Sequence, residues 1–332
     1  MTKNLQVVLA SRPQGPVTES NFQLVERDIP APGPGEVLVR NHWLSLDPYM
    51  RGRMSASKSY AAAVEIGDVM VGGTVGEVIE SNHPRHKVGD FVVGSTGWQL
   101  YAVATGESLN RVDPDLVPLS AYLGIVGMPG ATAWIGLYQH CEPIAGETVV
   151  VSAASGAVGS VVGQLARRQG CRTVGIAGGK SKCEYVVKEL GFDACIDYKA
   201  GRLYEDLKHA CPSGVDCYFE NVAGPTMDTV FRVLNPFSRI ALCGMIADYN
   251  SEEPYGVKMM RSLLVNRVRL TGFIVNDRMD LYQRAIARLG ALVSQGELKY
   301  RESVAEGLQN APTAFIGLLA GRNFGKQVVK LV

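Results

Sequence analysis

Residues 148–160 read Thr148-Val149-Val150-Val151-Ser152-Ala153-Ala154-Ser155-Gly156-Ala157-Val158-Gly159-Ser160. A run of β-branched residues breaks into small residues and then into a helical pattern, so the stretch predicts a strand, a tight turn and a helix. The helical pattern ends at Gly170, and a second apolar strand follows at residues 173–177. A strand, a helix and a strand within roughly thirty residues indicate a right-handed crossover unit with parallel strands.

The turn of this unit carries a partly substituted glycine motif. Read as G-x-G-x-x-G, it has Ala154 in the first glycine position, Gly156 in the second and Gly159 in the third. In such a turn one glycine lets a pyrophosphate approach the backbone, and another lets helix and strand pack closely. The helix N-terminus offers N–H groups to the anion. The order of elements favours a dinucleotide site over the alternative, a packing turn in another kind of α/β protein.

The rest of the chain predicts two architectures. Short apolar segments at 6–9, 22–25, 36–43, 69–79 and 90–93, separated by Pro and Gly, indicate β structure. After the first crossover unit, strands at 194–198, 215–219, 239–244 and 269–275 alternate with helical patterns, one of them around 230–234. This alternation predicts an α/β fold, a doubly wound parallel sheet covered on both faces. Residues 297–304 and 326–330 again have strand patterns.

We therefore expect an α/β domain inserted into a β domain. The expected ranges are 1–122 for the β domain, 123–302 for the α/β domain, and 303–332 for the return of the chain to the first domain.

Composition excludes several classes of protein. The 332 residues carry 33 Lys and Arg against 32 Asp and Glu, and a net charge of +1 argues against a nucleic-acid partner. The start has no signal-length apolar core, and no run approaches the roughly eighteen apolar residues of a membrane helix. The seven cysteines include no C-x-x-C pair and are most simply buried thiols in a reducing compartment. We expect a cytoplasmic protein with no membrane partner.

The end of the second strand distinguishes between two dinucleotides. An NAD site usually places Asp or Glu there to hold the ribose 2′-hydroxyl. This chain has Gly178-Gly179-Lys180-Ser181-Lys182 instead. Two ammonium groups and a hydroxyl can pair with a 2′-phosphate, which a carboxylate would repel. The sequence favours NADPH, and the alternative is that both lysines are solvated residues at a helix start.

Several stretches together give the chain a family resemblance. Through them nearly the whole chain resembles the zinc-free branch of the medium-chain dehydrogenase/reductase superfamily, which contains leukotriene B4 12-hydroxydehydrogenase/prostaglandin reductases and bacterial curcumin reductases. The stretches are Asp47-Pro48-Tyr49-Met50-Arg51, Gly127-Met128-Pro129-Gly130, Ala153 to Ser160, Gly191-Phe192-Asp193, Glu220-Asn221-Val222-Ala223-Gly224, Cys243-Gly244 with Tyr249-Asn250, and Asn323-Phe324-Gly325-Lys326.

The resemblance implies a fold and a chemistry. The implied fold is a GroES-like β domain plus a Rossmann domain, with the active site in the cleft between them and a homodimer as the assembly. The implied chemistry is NADPH-dependent reduction of a carbon–carbon double bond conjugated to a carbonyl, as in α,β-unsaturated ketones and aldehydes.

The sequence argues against a metal site. A catalytic zinc of the alcohol dehydrogenase kind needs Cys and His ligands from the β domain. No cysteine precedes Cys141, and His42, His83 and His86 are scattered. We therefore expect no metal ligands and a mechanism without metal polarisation.

Hydride addition to an enone without a metal still needs a hydrogen-bond donor for the charge on the carbonyl oxygen. Tyr249 follows the fifth strand at the carboxyl edge, where an open sheet binds ligands. By resemblance Tyr249 matches the family tyrosine that contacts the cofactor and assists protonation of the enolate. Its alternative role is packing within a loop. Tyr49 and Tyr60 resemble substrate-side aromatics of the family, and Tyr49 could equally be a core residue.

The resemblance also implies the cofactor contacts position by position. It implies that the glycine turn holds the pyrophosphate, that Lys182 meets the 2′-phosphate, and that the other residues approach the adenosine or nicotinamide half. The implied contacts are Gly156, Ala157, Val158, Gly159, Lys182, Tyr198, Asn221, Cys243, Gly244, Tyr249, Phe273, Ile274, Val275 and Asn323.

Two other functions stay open at this point. A quinone oxidoreductase of the same superfamily would use the same cofactor and reduce a quinone ring, and a non-catalytic protein would bind NADPH without turnover. The sequence does not name the substrate, because the pocket depends on the loops around Tyr60, Trp98 and residues 245–257.

Overall fold

The chain passes from β structure to α/β structure and back. The computed structural model describes residues 3–332, so residues 1 and 2 of the expected first domain lie outside the described part. The first unit comprises the residues up to Gly124 together with Glu302–Val332, and the second comprises Ile125–Arg301. The second unit is continuous in sequence and interrupts the first.

Strands occur in both units. In the first unit they are β1 (Asn4–Leu9), β2 (Phe22–Arg27), β3 (Glu36–Ser45), β4 (Thr74–Ser81), β5 (Phe91–Gly94), β6 (Tyr101–Thr105), β7 (Asn110–Arg111), and, after the second unit, β14 (Glu302–Glu306) and β15 (Lys326–Lys330). In the second unit they are β8 (Thr148–Ser152), β9 (Arg172–Ala177), β10 (Ala194–Asp197), β11 (Val215–Glu220), β12 (Leu234–Leu242) and β13 (Arg269–Gly272).

The α-helices lie mainly in the second unit. They are α1 (Met50–Arg53), α2 (Met128–Gly136), α3 (Gly159–Arg168), α4 (Lys180–Lys188), α5 (Leu203–Ala210), α6 (Gly224–Phe231), α7 (Arg261–Val265), α8 (Met279–Ser294) and α9 (Ala311–Leu319), of which α1 and α9 belong to the first unit. Within residues 3–332, no helix has the length and apolarity needed to span a bilayer.

The first unit is built from a mainly antiparallel sheet. Its strand order is β14-β15-β3-β4-β5-β7, with β6 also paired to β3, while β1 and β2 form a separate hairpin-like pair. The core packs around Trp98, which is 0% exposed and stacks on Phe22 at 5.5 Å between ring centroids. Phe315 of α9 meets the same indole edge-on at 5.7 Å. Trp98 is therefore a core residue.

The returning tail is joined to the first part of the chain by a buried ion pair. Strand β15 pairs antiparallel with β3, and Val328 lies opposite Ser45. The Lys326 ammonium donates to Asp47 at 2.8 Å and to the Leu46 carbonyl at 2.6 Å. The Ser45 hydroxyl also donates to Asp47. Two of the stretches that carry the family resemblance therefore meet through this ion pair.

The second unit confirms the expected doubly wound sheet. Its six strands lie in the order β10-β9-β8-β11-β12-β13, and every neighbouring pair is parallel. The central strand β8 is buried along its whole length, as a strand covered on both faces should be. The strand order reverses beside β8, which is the topological switch point where such sheets bind ligands.

Several predicted elements differ in extent. Residues 69–73 are not part of β4, since Gly72 and Gly73 interrupt the apolar run before Thr74. The predicted sixth strand ends at Gly272, and a short 3-10 helix begins at Val275. Leu234 begins β12 and does not end a helix. Residues 297–301 precede β14, and the sequence did not predict β6, β7 or α9.

Candidate active site

The carboxyl ends of the parallel strands lie on one edge of the second unit. Glu220 of β11 lies opposite Leu242 of β12, and Leu242 lies opposite Gly272 of β13. In the other half of the sheet, the carboxyl ends of β8, β9 and β10 are aligned with one another in the same way. The residues that directly follow these strands are Ala153, Gly178, Tyr198, Asn221, Cys243 and Phe273. Four of these six residues, Tyr198, Asn221, Cys243 and Phe273, are predicted site residues.

The two glycines of the turn between β8 and α3 meet different surroundings. A Cβ on Gly159 would lie 2.5 Å from the carbonyl oxygen of Ala153, so only glycine permits this approach of helix to strand. A Cβ on Gly156 would lie 3.1 Å from the same oxygen, and Gly156 is half-exposed. Ala153 itself has a φ of 49°, a left-handed conformation that costs energy in alanine. The turn is therefore held tightly on its inner side and borders open space at Gly156, Ala157 and Val158.

The first turn of α3 suits a phosphate group. The N–H groups of Ser160 and Val161 already donate to the carbonyls of Gly156 and Val158. An anion would therefore lie against the turn before the helix, where the helix dipole adds partial positive charge. The half-exposed residues Gly156, Ala157 and Val158 lie directly before this helix start. An anion placed against the turn would therefore meet backbone donors without displacing a side chain of the core.

A cationic corner lies at the end of β9. A Cβ on Gly178 would lie 3.1 Å from the Tyr198 hydroxyl and 3.1 Å from Cε of Lys199, so both side chains lie over this glycine. Lys182 is half-buried in α4, and its pKa is lowered by burial and then by the charge of Lys199. Two ammonium groups held near each other create a site that an anion would stabilise. The sequence interpretation missed Lys199, which comes to this corner only through the pairing of β10 with β9.

The carboxylate at this corner is used by the backbone. Asp197 ends β10, and its Oδ1 accepts hydrogen bonds from the N–H groups of Gly179 at 2.8 Å and Lys199 at 3.0 Å. It therefore shapes the loop that presents Lys199. The corner suits a 2′-phosphate, because its two lysines supply the positive charge and the carboxylate fixes the backbone.

Backbone hydrogen bonds join the loops after β11 and β12. The Glu220 carbonyl accepts from the N–H groups of Cys243 at 2.9 Å and Gly244 at 3.1 Å. The Asn221 carbonyl accepts from Ile246 N–H at 3.3 Å, and the Asn221 side-chain amide donates to the Ser152 carbonyl at 2.8 Å. Asn221 is thus fixed from both sides.

A buried carboxyl group lies directly beneath these loops. The Glu220 side chain accepts from the Ser152 hydroxyl at 2.6 Å, the Tyr218 hydroxyl at 2.5 Å and the Val222 N–H at 2.5 Å. Glu220 is 0% exposed, and burial raises its pKa. This network ties the end of β8 to the end of β11. Sequence reasoning missed its role, although an acid within the apolar run of β11 was a visible signal.

The Tyr249 hydroxyl lies beside Asn221 and Gly244. It accepts a hydrogen bond from the Met245 N–H at 3.2 Å. It also lies 3.5 Å from the position that a Cβ on Gly244 would take, and the Asn221 carbonyl lies 3.3 Å from that position. A phenol can accept and donate at the same time. The predicted residues Asn221, Gly244 and Tyr249 are therefore brought together at the carboxyl edge.

The remaining predicted residues of the second unit contribute mainly through their backbone. Burial and the nearby Glu220 raise the pKa of the Cys243 thiol to about 12, so this thiol stays neutral. The Phe273 ring packs inward against His140, with ring centroids 4.8 Å apart, and Val275 belongs to a buried apolar cluster. Ile274 lies between them and is half-buried. The segment 273–275 can thus present its backbone and Ile274 at the edge, while the Phe273 and Val275 side chains pack in the interior.

Three predicted residues belong to the first unit. Tyr49 packs against the core, and burial, followed by the charges of Asp47 and Tyr60, raises its pKa. Tyr60 is 61% exposed and lies near enough to Tyr49 to interact electrostatically. Asn323 donates from its side chain to the Gly325 carbonyl at 2.7 Å. Of the two tyrosines, Tyr49 thus packs against the core and Tyr60 is open to solvent.

The histidines are engaged in local structure. His83 pairs with Glu107 at 2.7 Å, and His86 pairs with the Gly106 carbonyl at 2.8 Å. His42 lies 3.7 Å from Glu77. In the part of the chain that the structure describes, no three His, Cys, Asp or Glu side chains are grouped so that they could hold a metal ion.

A doubly wound parallel sheet with a glycine turn at its switch point, in a segment that interrupts a β unit in sequence, defines the class of two-unit dinucleotide-dependent oxidoreductases. Comparison with known families agrees with this class. The family described as the N-terminal domain of oxidoreductase matches residues 5–112, and the family described as zinc-binding dehydrogenase matches residues 157–291.

Individual proteins match over nearly the whole chain. An NADPH-dependent curcumin reductase of Escherichia coli is 47% identical over 99% of this chain and 97% of its own length. A 2-alkenal reductase (NADP⁺-dependent) of Nicotiana tabacum is 43% identical over 98% of this chain and 97% of its own. The crystal structure of CurA in complex with NADPH from Vibrio vulnificus is 49% identical, covers 99% of both chains and superposes with a TM-score of 0.94. The chain therefore belongs to the medium-chain dehydrogenase/reductase family, in the group that holds the curcumin and alkenal reductases.

Proposed function

We propose that this protein uses NADPH to reduce the carbon–carbon double bond of α,β-unsaturated ketones and aldehydes. The observation that carries the proposal is the Tyr249 hydroxyl beside Asn221 and Gly244, at the carboxyl edge of the sheet. The curcumin and alkenal reductases, each above 40% identical across nearly the whole chain, support the same reaction class.

The proposed cofactor contacts follow the edge of the sheet. The turn at Gly156, Ala157, Val158 and Gly159 would hold the pyrophosphate, and the corner of Lys182 and Tyr198 would hold the 2′-phosphate. Asn221, the backbone of Cys243 and Gly244, and the segment Phe273–Val275 would contact the nicotinamide half, with a further contact from Asn323. When bound, NADPH supplies the hydride that adds to the electrophilic carbon of the substrate.

The chain's own contribution to the chemical step is a proton donor. Addition of a hydride to the β-carbon of an enone leaves negative charge on the carbonyl oxygen. A tyrosine hydroxyl is a hydrogen-bond donor, and we assign to the Tyr249 hydroxyl the donation to this oxygen. The Met245 N–H holds the hydroxyl oxygen at 3.2 Å and thus orients it. We assign Tyr49 and Tyr60 to substrate contact, since burial keeps Tyr49 protonated and Tyr60 is exposed.

A substrate panel tests this proposal. Enones, enals and quinones should be compared by NADPH consumption under identical conditions, with product analysis by mass spectrometry. We expect turnover of enones and enals to the saturated carbonyl compounds. Turnover of quinones alone would refute the proposal and show that the protein is a quinone oxidoreductase. NADPH binding without turnover of any compound would show that it is a non-catalytic binding protein.

Tyr249→Phe tests the proton donor, because the substitution removes only the hydroxyl. We expect kcat on enones to fall by roughly 10²–10³-fold, as with the loss of one oxyanion donor elsewhere. NADPH affinity should change far less. A kcat within a few-fold of the unchanged protein would show that the donor lies elsewhere, with Tyr49→Phe as the next variant to measure.

We also propose a homodimer formed through the β13 edge of the sheet. Strand β13 pairs on one side only, with β12, and large apolar side chains are exposed near it. They include Met260 at 60%, Leu264 at 79% and Val265 at 51%, the last two on α7. An exposed edge strand with apolar neighbours favours pairing with a second copy. The homodimer is tested by measuring the mass of the unchanged protein and of Leu264→Asp by light scattering. A monomeric mass for the unchanged protein would refute the homodimer.

A cytoplasmic location is the remaining part of the proposal. The seven cysteines are free thiols, which fits a reducing compartment. Cell fractionation with an antibody to the native protein would test it, and recovery outside the cytoplasmic fraction would refute it.

A further inference from the structure

Two pairs of neighbouring cysteines occur among the described residues of the second unit. Cys141 and Cys217 form one pair, in which the Cys217 thiol donates to the Cys141 carbonyl at 3.2 Å, and both residues are 0% exposed. Cys183 on α4 and Cys195 on β10 form the other, and both side chains line the same groove. Both residues of the second pair are half-buried. The two pairs thus differ mainly in their access to solvent.

The second pair lies in an open groove. Cys183 and Cys195 line a cavity of about 370 Å³ between α4 and β10, the terminal strand of the sheet. A water molecule occupies roughly 30 Å³ of liquid, so the groove admits molecules much larger than water. Its other lining residues are Lys180, Glu184, Val187, Lys188 and Asp197. A small oxidant can therefore reach the thiols of this pair, and no such access exists for the completely buried pair.

The two thiols are unequal in acidity. The neighbouring Cys195 thiol lowers the pKa of Cys183 below its usual range despite partial burial and the nearby Asp197 carboxylate. The neighbouring Cys183 and then burial raise the pKa of Cys195. The ammonium groups of Lys180 and Lys188 are each 3.9 Å from Glu184, so the groove carries nearly balanced charge. Cys183 is the nucleophile of the pair and Cys195 holds the proton.

We propose that Cys183 and Cys195 form a redox site that hydroperoxides oxidise to a disulfide. In the first step the Cys183 thiolate attacks the terminal oxygen of ROOH, the O–O bond breaks, and the alkoxide leaves with a proton as ROH. In the second step the Cys195 sulfur attacks the Cys183 sulfenic acid, the S–S bond forms, and hydroxide leaves with the Cys195 proton as water. The two thiols lose two electrons, and the hydroperoxide gains them.

The position of the pair links it to cofactor binding. Cys183 directly follows Lys182 in α4. Cys195 lies on β10, and Tyr198 is the first residue after that strand. A bond between the two sulfurs would restrain the first turn of α4 against β10. This step rests on the proposed function, because Lys182 and Tyr198 are the residues assigned to the 2′-phosphate. Oxidation should therefore weaken NADPH binding and leave NADH binding unchanged.

The experiment treats the folded protein with cumene hydroperoxide, blocks the remaining thiols with N-ethylmaleimide and maps peptides by mass spectrometry. We expect the thiols counted in the denatured protein to fall by two from seven, with one linked peptide pair containing Cys183 and Cys195. Dithiothreitol should restore both thiols. Cys183→Ser and Cys195→Ser should not form this linkage, whereas Cys217→Ser, from the buried pair, should form it as readily as the unchanged protein.

The outcomes separate this inference from the proposed function. The linkage is read by mass without any cofactor, so it can fail while enone reduction stands. Absence of a linked Cys183–Cys195 peptide in the oxidised unchanged protein would overturn the redox site, and that readout does not depend on whether any variant folds. A linkage that leaves NADPH and NADH affinity unchanged would overturn its coupling to the cofactor.

Discussion

Removal of the Lys182 ammonium group tests how the protein selects its dinucleotide. Lys182 is half-buried in α4, beside the corner formed by Gly178, Tyr198 and Lys199. The pKa of Lys182 is lowered by burial and then by the charge of Lys199, because neighbouring ammonium groups repel each other. A 2′-phosphate bound there would turn this repulsion into attraction for both lysines.

The expected magnitude follows from burial. A charge-assisted hydrogen bond contributes about 1.5–3 kcal/mol, and a tenfold change in Kd corresponds to about 1.4 kcal/mol. Lys182→Ala should therefore raise the Kd for NADPH by roughly 10- to 150-fold. Lys199 is exposed, so solvent screens its charge, and Lys199→Ala should cost roughly 0.2–1 kcal/mol, or about fivefold at most.

The assay compares two cofactors and a control variant. Kd for NADPH and for NADH is measured by fluorescence titration for each variant, and the difference between the two cofactors isolates the 2′-phosphate. Lys180→Ala is the matched control, because Lys180 lies on the same helix, its side chain is 90% exposed, and it is 3.9 Å from Glu184. We expect this variant to bind NADPH nearly as the unchanged protein does.

Two results would refute the reasoning. An equal loss of NADPH and NADH affinity in Lys182→Ala would show that the Lys182 side chain stabilises the fold or contacts the pyrophosphate. It would then not contact the 2′-phosphate. A larger effect from Lys180→Ala would move the 2′-phosphate to the exposed face of α4.

Two further substitutions probe the turn and the returning tail. Gly156→Val should abolish NADPH binding with little change in Tm, whereas Gly159→Val should lower Tm strongly, because its Cβ would lie 2.5 Å from the Ala153 carbonyl oxygen. Equal losses of Tm would contradict this distinction. Lys326→Met should destabilise the first unit by about 3–5 kcal/mol in urea unfolding, because it leaves Asp47 buried without its partner. Addition of Asp47→Asn should recover part of the loss, and a cost below about 1 kcal/mol for Lys326→Met alone would show that the pair is not needed.

The features that the sequence predicts well are local ones. The β-branched run of β8, the small residues after it and the helical pattern of α3 lie within one short stretch, and each is fixed by backbone sterics and side-chain periodicity. Parallel pairing then follows, since strands joined by helices have few other ways to bury both faces. This is why the doubly wound sheet and the glycine turn were predictable before any contact was known.

The features that the sequence does not predict depend on distant contacts. Lys199 reaches the cationic corner only because Asp197 lies opposite Ala177 in the β10–β9 pair. Glu220 meets Ser152 from a position 68 residues away in the chain. An isolated lysine or glutamate carries no local signal of such a partner. The difference in burial between Lys180 and Lys182 likewise depends on how α4 is rotated against the sheet.

The wrong strand limits have a related cause. An apolar run predicts burial, but it does not show where the hydrogen-bond ladder stops. Residues 69–73 are apolar or glycine and bond to other segments, with Met70 N–H donating to the Val7 carbonyl at 3.0 Å, so they lie outside β4. The segment 273–275 is apolar because Phe273 and Val275 pack inward after β13 has ended.

The two-piece construction of the first unit sets an order for folding during synthesis. The Lys326–Asp47 contact closes across 279 positions of chain, and β15 is the antiparallel partner of one end of β3. The ribosome releases Ile125–Arg301 as one uninterrupted segment before Lys326 is synthesised. This segment is therefore complete before Lys326 and Asp47 can meet. The usual order, in which the earlier domain folds first, is therefore reversed. Until the final residues emerge, the Trp43–Ser45 end of β3 lacks its β15 partner and Asp47 lacks its cation, which exposes the nascent first unit to edge-to-edge association. A chain released before Lys326 would carry a complete second unit attached to a first unit that cannot close.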